Sequence, residues 1–447
     1  RNGVSEPARA RTTAKPRPIA ILWLAKLVSP TGARTLSSTS PISAIFDGAD
    51  PSVSLDRVQP AAAMAAEGPS DPPAASASPI GPDEVPFSTA VAGLLVENCQ
   101  RCHGGGNPSA GFSVATFNDL AESGVIEPGR GAESLLVRKL VGVDIDGQRM
   151  PRGRPPLDDD TIAIIRKWID EGAKLDMLEG TAELSRIASE GRSQTLSHEE
   201  LRTLRFAEAP QLWRRGIVDE EAAVEIRGNL CVVGNLDGAR LASAADAAAE
   251  VEEKLRRELR LDGPLAKGGA AVLVFARGFD FSNFWQNVLG RERPRGLMGY
   301  ADVSGDVVYA AVAVDGDVDN QRLMLAAELT AATLRAHGAP SWFAEAAGRI
   351  LARKIAPEAS AIEIWNDAEV VAKNSPPAEV SRFVTGPLTA EQVAITSAML
   401  GAIDRDGNRL VGLLSRLENG DDFEEAFRRT YRMPPEQMLQ GWGAGGR

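Results

Sequence analysis

The sequence predicts a multidomain chain: a disordered N-terminal tether, then an all-α module, then an α+β domain whose C-terminal half is mostly helical. Three observations predict it. The 447 residues suffice for about two or three domains of ordinary size. Hydrophobic residues at 43% and charged residues at 25% stand near globular averages, so the bulk of the chain folds. The apolar spacing also changes along the chain, from none, to helical, to a mixture of strand and helix periods.

Charge narrows the partners. With 49 Lys plus Arg against 61 Asp plus Glu, the formal net charge is −12, a field that repels nucleic acid and anionic membrane surfaces. No nucleic-acid partner is expected. No run of about eighteen apolar residues occurs, so no transmembrane helix is evident.

Residues 1–86 read as an export-signal-like segment followed by a disordered tether. The apolar run Ile19 to Val28 follows Arg9, Arg11, Lys15 and Arg17, the outline of an export signal, although Lys26 interrupts it and no clean small-x-small cleavage site follows at once. An ill-defined gene start is the competing reading. From Ser29 to Pro86 the chain is Ser, Thr, Ala and Pro with scattered charges, too poor in large apolar surface to offset its ordering entropy.

Residues 87–174 form the all-helical module. Ser88 to Asn98 places Val91, Leu94 and Leu95 on one helical face, and Glu133 to Val141 is a second short helix around Leu135, Leu136 and Leu140, with loop between them. The third helix begins at Asp158-Asp159-Asp160, whose carboxylates can cap exposed amides and favour the positive end of the helix dipole. It continues through Ile162, Ile164, Ile165, Trp168 and Ile169 and stops at Gly172. Residues 175–221 read as a polar connector, helical in pieces.

Residues 222–447 mix periods. Val224 to Val233 and Ala270 to Ala276 read as strands around a helix from Ala239 to Leu259, with Glu252, Lys254 and Arg256 facing outward. Gly299 to Asp302 and Asp306 to Val314 read as a strand pair joined at Gly305. Helices follow at Gln321 to Arg335, Ser341 to Lys354, Thr389 to Ile403, Arg409 to Leu417 and Phe423 to Tyr431.

Of only three cysteines and three histidines, two cysteines and one histidine fall together as Cys99-Gln100-Arg101-Cys102-His103. Two thiols three positions apart at a helix end can add to the two vinyl groups of one haem, and the adjacent His then serves as the proximal iron ligand. A thioredoxin-like redox pair is a competing use, though it expects a preceding strand and no obligatory His. A zinc site is another, and would need a fourth ligand nearby. For the sixth iron position Met150 is the candidate, in the Gly- and Pro-rich Arg149-Met150-Pro151 loop, where a soft thioether can be held over a ring. Against this, a lone Met is usually a core or surface filler; Met177 is the weaker substitute.

Residues 98–174 resemble the small class I cytochrome c modules of the planctomycete cytochrome C type. The matching elements are Asn98-Cys-Gln-Arg-Cys-His-Gly104, Gly111-Phe-Ser-Val, Glu127-Pro-Gly-Arg-Gly-Ala-Glu-Ser-Leu-Leu136, Arg149-Met-Pro151 and Trp168-Ile-Asp-Glu-Gly-Ala173. The resemblance implies a cytochrome c fold with one covalent haem c on Cys99 and Cys102, His103 and Met150 as axial ligands, and electron transfer. It also implies export, to the periplasm or cell envelope. An apolar shell including Leu136, Ile165 and Trp168 would set the potential, and Ser134 would fix a loop or cap a helix.

A zinc peptidase of the two-His-plus-Glu type needs His at i and i+4 of a helix, a Glu base between them, and a third ligand from a later helix. Ala327-Glu328-Leu329-Thr330-Ala331 keeps the Glu and has alanine at both ligand positions, followed by Pro340-Ser-Trp342-Phe-Ala-Glu345-Ala-Ala-Gly348. Residues 222–443 thus resemble a degenerate peptidase MA-like (gluzincin-like) domain. Ala327 and Ala331 cannot bind metal, so no zinc is expected, and Glu345 would be a lone carboxylate. Trp342, Phe343 and Cys231 read as core.

The expectation is an electron-transfer haemoprotein rather than an enzyme, with an unidentified redox partner protein and an inactive peptidase-like domain used for binding or assembly, a protein or peptide being the candidate ligand. A haem-based sensor whose C-terminal domain is the working part is the alternative, and an active zinc metallopeptidase the third reading.

Overall fold

The computed structural model describes residues 81–314, 317–372 and 388–441. The apolar run at Ile19 to Val28, and the tether up to residue 80, lie outside them. The described residues belong to one compact unit, within which the buried apolar side chains form two clusters.

The first cluster is all-helical. A π-helical turn, Phe87–Val91, runs into α1 (Ala92–Asn98), and α2 (Gln100–His103) follows at once. Next come α3 (Phe117–Glu122), α4 (Leu135–Val141), α5 (Asp159–Asp170) and α6 (Leu184–Thr195). Asp158 caps α5 by accepting from the Thr161 amide at 2.7 Å, as the acidic cluster predicts. The stretch read as loop contains α3, whose start is a capping box between Thr116 and Asp119. Six residues carry too little periodicity to stand out; the Thr-x-x-Asp signature was the available signal.

The chain is already tied down at Gly81. Val85 N–H donates to Glu171 and the Lys174 ammonium meets Glu84 at 2.6 Å. The module also runs past residue 174: Leu175, Leu184, Ile187 and Ala188 lie in the first cluster. Gly191 lets α6 cross the opening turn, because a Cβ there would strike the Ser88 carbonyl. Trp168 closes the cluster against Phe87, ring centroids 4.9 Å apart, with its indole N–H donating to the Lys174 carbonyl.

The second cluster surrounds a five-stranded sheet. Helix α7 (His198–Gly216) leads into β1 (Ala223–Arg227) and β2 (Leu230–Gly234), then α8 (Gly238–Leu259), β3 (Ala270–Phe275), α9 (Gly278–Leu289), β4 (Gly299–Ser304) and β5 (Val307–Ala313). The order is β1-β2-β3-β5-β4. The central three strands are parallel, with Val232 opposite Val272 and Val272 opposite Ala310, and both edge strands are antiparallel. Strands β2, β3 and β5 are buried along their whole length, which is why they read as unbroken apolar runs. Helices α10 (Val318–Ala336), α11 (Ser341–Ile355), α12 (Ala361–Ala372), α13 (Ala390–Ile403), α14 (Asn408–Glu418), α15 (Phe423–Tyr431) and α16 (Pro435–Gly441) follow.

Three expectations need correction. Val224 to Val233 is not one strand: the chain turns at Gly228, in the left-handed region at φ 56°, and returns as the antiparallel pair β1 and β2. Residues 175–221 do not stand apart as a connector: α6 packs into the first cluster, while α7 gives Ala209, Leu212 and Trp213 to the second, Trp213 stacking on Phe275 at 4.8 Å. Their polar residues cover the outer helix faces and dilute the periodicity. Glu252 does not face outward. It is 7% exposed, and burial raises its carboxyl above the usual range.

Candidate functional site

The cysteine–histidine cluster sits where α1 gives way to α2. Cys99 leaves helical geometry at φ −120°, yet its carbonyl accepts from the amides of Cys102 and His103 at 3.1 and 3.0 Å, so the three side chains ride on one short turn. Both thiols are free. Burial, and then the neighbouring Cys102, push the Cys99 thiol up to about 11, the opposite of the lowered value that activates a redox-exchange cysteine.

His103 is held on two sides. Its carbonyl accepts from the Val114 amide at 2.7 Å, and its Nδ1 lies 3.0 Å from the Phe112 carbonyl oxygen. A carbonyl only accepts, so Nδ1 carries a proton, and in the neutral ring Nε2 then holds the lone pair with which imidazole binds a metal. The Phe112 ring adds a contact at 4.8 Å.

Met150 packs on the same cluster and is half-buried; its amide donates to the Lys139 carbonyl at 2.9 Å, which anchors the loop to α4. Leu94, Val96, Phe112, Leu157 and Ile164 also pack on the cluster while keeping part of their surface open, as does Met177. Leu136, Ile165 and Trp168, the expected apolar shell, are more deeply buried beneath them. Sequence reasoning overlooked the position of Phe112 against His103 and the part of Leu157, since neither follows from spacing. Ser134 fixes a loop rather than capping its helix: its hydroxyl accepts from the Glu127 amide at 2.8 Å and donates to the Arg130 carbonyl at 2.9 Å.

The donor set fits a covalent haem. The Cys99 thiol and the Met150 thioether pack on one cluster, among apolar side chains that retain open surface, and Cys102 and His103 ride on the same turn as Cys99.

In the second cluster, α10 presents Ala327, Glu328 and Ala331, and α11 presents Glu345. Glu328 is 4% and Glu345 9% exposed. The helices approach closely at Ala327, whose carbonyl would be struck by any Cβ on Gly348. Glu345 is not the lone carboxylate expected. It faces Glu328, Arg349, Arg335 and Asp302, and the Ala301 amide bonds to it; burial outweighs the two arginines and lifts its carboxyl to about 7. Burial first, then Glu345, pushes Glu328 well above its usual range.

Arg335 bonds Asp302 at 2.6 Å, and Tyr300 donates to the same carboxylate at 2.7 Å. The Arg349 guanidinium lies 4.8 Å over the Trp365 ring, and desolvation lowers it to about 10. One oxygen of Glu328 and one nitrogen of Arg349 are buried without a hydrogen-bond partner.

The remaining histidines are engaged. His198 Nδ1 accepts from the Gly268 amide, with Nε2 3.1 Å from Asn229 Oδ1, and His337 Nδ1 lies 2.8 Å from the Thr333 carbonyl. Among the described residues no three His, Cys, Asp or Glu side chains gather as a metal site, and no helix is long and apolar enough to cross a membrane. Trp342, Phe343 and Cys231 are all buried. No protein-family model matches the sequence, and no curated protein matches it significantly.

Proposed function

We propose that this protein is an exported c-type haemoprotein that exchanges single electrons with a redox partner protein. The observation that carries the reading is the Cys99-x-x-Cys102-His103 turn with Nδ1 of His103 committed to the Phe112 carbonyl. Cys99 and Cys102 would hold the group by thioether bonds, with His103 and Met150 as axial ligands. Bound haem supplies a one-electron couple, which Met ligation and an apolar surround favour in its ferrous form.

The chain's own residues supply rigidity. Val114 and Phe112 fix the His103 ring, and Lys139 fixes the Met150 loop to α4. Leu94, Val96, Leu157 and Ile164, packed on the first cluster with part of their surface open, would offer apolar contact to the bound group. The second cluster has the outline of a peptidase-like domain with Ala327 and Ala331 at the metal-ligand positions, and we assign it to binding or assembly rather than catalysis.

The test is an optical spectrum, oxidised and reduced, of protein exported from a host with cytochrome c maturation. Colour that survives acid–acetone extraction is the expected result, with a far-red thioether-to-ferric band that Met150→Ala abolishes. Colourless protein after successful export would overturn the reading. Retention of the band in Met150→Ala would assign the sixth position elsewhere, Met177 first.

A further inference from the structure

The chain carries −12 overall, yet the surface beside Met150 has the opposite sign. From Arg138 to Pro156 five basic side chains stand against two acidic ones. Arg152 and Arg154, on the loop that follows Met150, are exposed, as is Arg101 between the two cysteines. Arg154 donates to the Glu97 carbonyl at 3.1 Å, which lays this loop across the end of α1 that carries Cys99.

These charges are not spent on neighbouring acids. Arg138 donates to the backbone carbonyl of Asp144 and Lys139 to that of Asp146, so both stiffen the loop without losing charge to a carboxylate. No described carboxylate forms an ion pair with Arg101, Arg152 or Arg154. Val141 and Val143 lie alongside, 50% and 55% exposed, with the Arg149 stem packed on Gly142 between them. Past Leu157 the sign changes again at Asp158, whose carboxylate is occupied in capping α5.

We propose that the redox partner is a protein with an acidic docking face, which seats on Arg101, Arg152 and Arg154 where the Met150 loop crosses the Cys99 end of α1. The proposal rests on the haem reading and reverses the partner that net charge alone suggests. A local cluster outweighs the summed charge because at physiological salt the Debye length is about 8 Å, so a docking partner feels the patch it approaches rather than the remote acidic surface. Exposed valines flanked by Arg138 and Arg149 suit a small, transient interface in which charge sets orientation and encounter rate.

The test is stopped-flow oxidation of the reduced, haem-loaded full chain by two one-electron oxidants of opposite sign, ferricyanide and tris(phenanthroline)cobalt(III). One electron leaves the protein and reduces ferricyanide to ferrocyanide, or cobalt(III) to cobalt(II), with no bond made or broken. The ferricyanide rate is expected to fall with rising ionic strength and the cobalt rate to rise. Arg152→Glu with Arg154→Glu should slow ferricyanide by roughly 3- to 10-fold at low salt, with the difference gone near about 1 M. The control Arg214→Glu, exposed on α7, should leave both rates within about 2-fold.

Rates that follow the net charge of −12, or an equal response to Arg214→Glu, overturn the docking face and leave the haem reading standing. Protein that carries no haem overturns both.

Discussion

Arg192 and Asp306 form a paired contact between the two hydrophobic clusters. The Arg192 Nε donates to both carboxylate oxygens, at 3.0 and 2.9 Å, and its Nη2 reaches Oδ2 at 2.7 Å. Asp306 is 3% exposed at the β4–β5 turn, while Arg192 rises from α6 against Gly93 of α1, the helix that ends at Cys99. Helix α6, packed on α1 at Gly93, is therefore tied to the sheet by one partly buried ion pair.

Removing Arg192 is costly, because the Asp306 charge left behind stays buried. Arg192→Met is expected to lose about 3 kcal/mol in urea unfolding, and Asp306→Ala less, since Arg192 keeps part of its surface in water. The double variant should lose clearly less than the two single losses together. Full additivity would show that the contact contributes nothing as a pair.

The carboxylates of α10 and α11 make stability depend on pH. Burial lifts Glu345 from 4.5 to about 7, so the folded chain keeps a proton that the unfolded chain releases. The contribution is complete below pH 4.5 and lost as pH rises through about 7. The melting temperature should therefore fall from about pH 5 to about pH 8, and Glu345→Gln should flatten that slope. An unchanged slope in the variant would assign the dependence to other groups.

Gly299 on β4 gives the Glu328 carboxylate its space. A Cβ there would run into that side chain, which is fully enclosed and has nowhere to swing. Gly299→Ala should cost about 1–3 kcal/mol by overpacking, and Glu328→Ala in the same chain should recover part of it. Equal losses with and without Glu328 would show the strain to lie elsewhere.

Ser134 is fully buried and bonds both to the Glu127 amide and to the Arg130 carbonyl. Ser134→Ala leaves both without that partner, for an expected loss of about 1–3 kcal/mol. Hydrogen exchange should quicken at Glu127 in particular, since its amide loses its acceptor. Unchanged protection there would contradict the loop-fixing role.

Much of the layout was legible because its causes are local. The apolar runs of β3 and β5 and the acidic start of α5 declare themselves in a few residues, whereas β1 and β2 run together in the sequence because only Gly228 and Asn229 part them. The Cys99–Cys102–His103 cluster does so through residue scarcity and spacing. Helices α3, α9, α12 and α16 were not foreseen, being short or lacking a clean apolar stripe. The burial of Glu252 and the Phe112 carbonyl against His103 were equally hidden, since each depends on a neighbour brought in by the fold.

From the sequence alone came the Cys99-x-x-Cys102-His103 spacing and the alanines at 327 and 331, which carry no metal-binding group, because those follow from the side chains themselves. Tertiary structure alone decided that Nδ1 of His103 is bonded and Nε2 is available. It also decided that Glu345 shares its surroundings with Glu328 and Arg349, and that the Arg154 loop lies across the Cys99 end of α1. Hydrogen bonding, desolvation and local charge are properties of groups brought together in space, and no spacing along the chain specifies them.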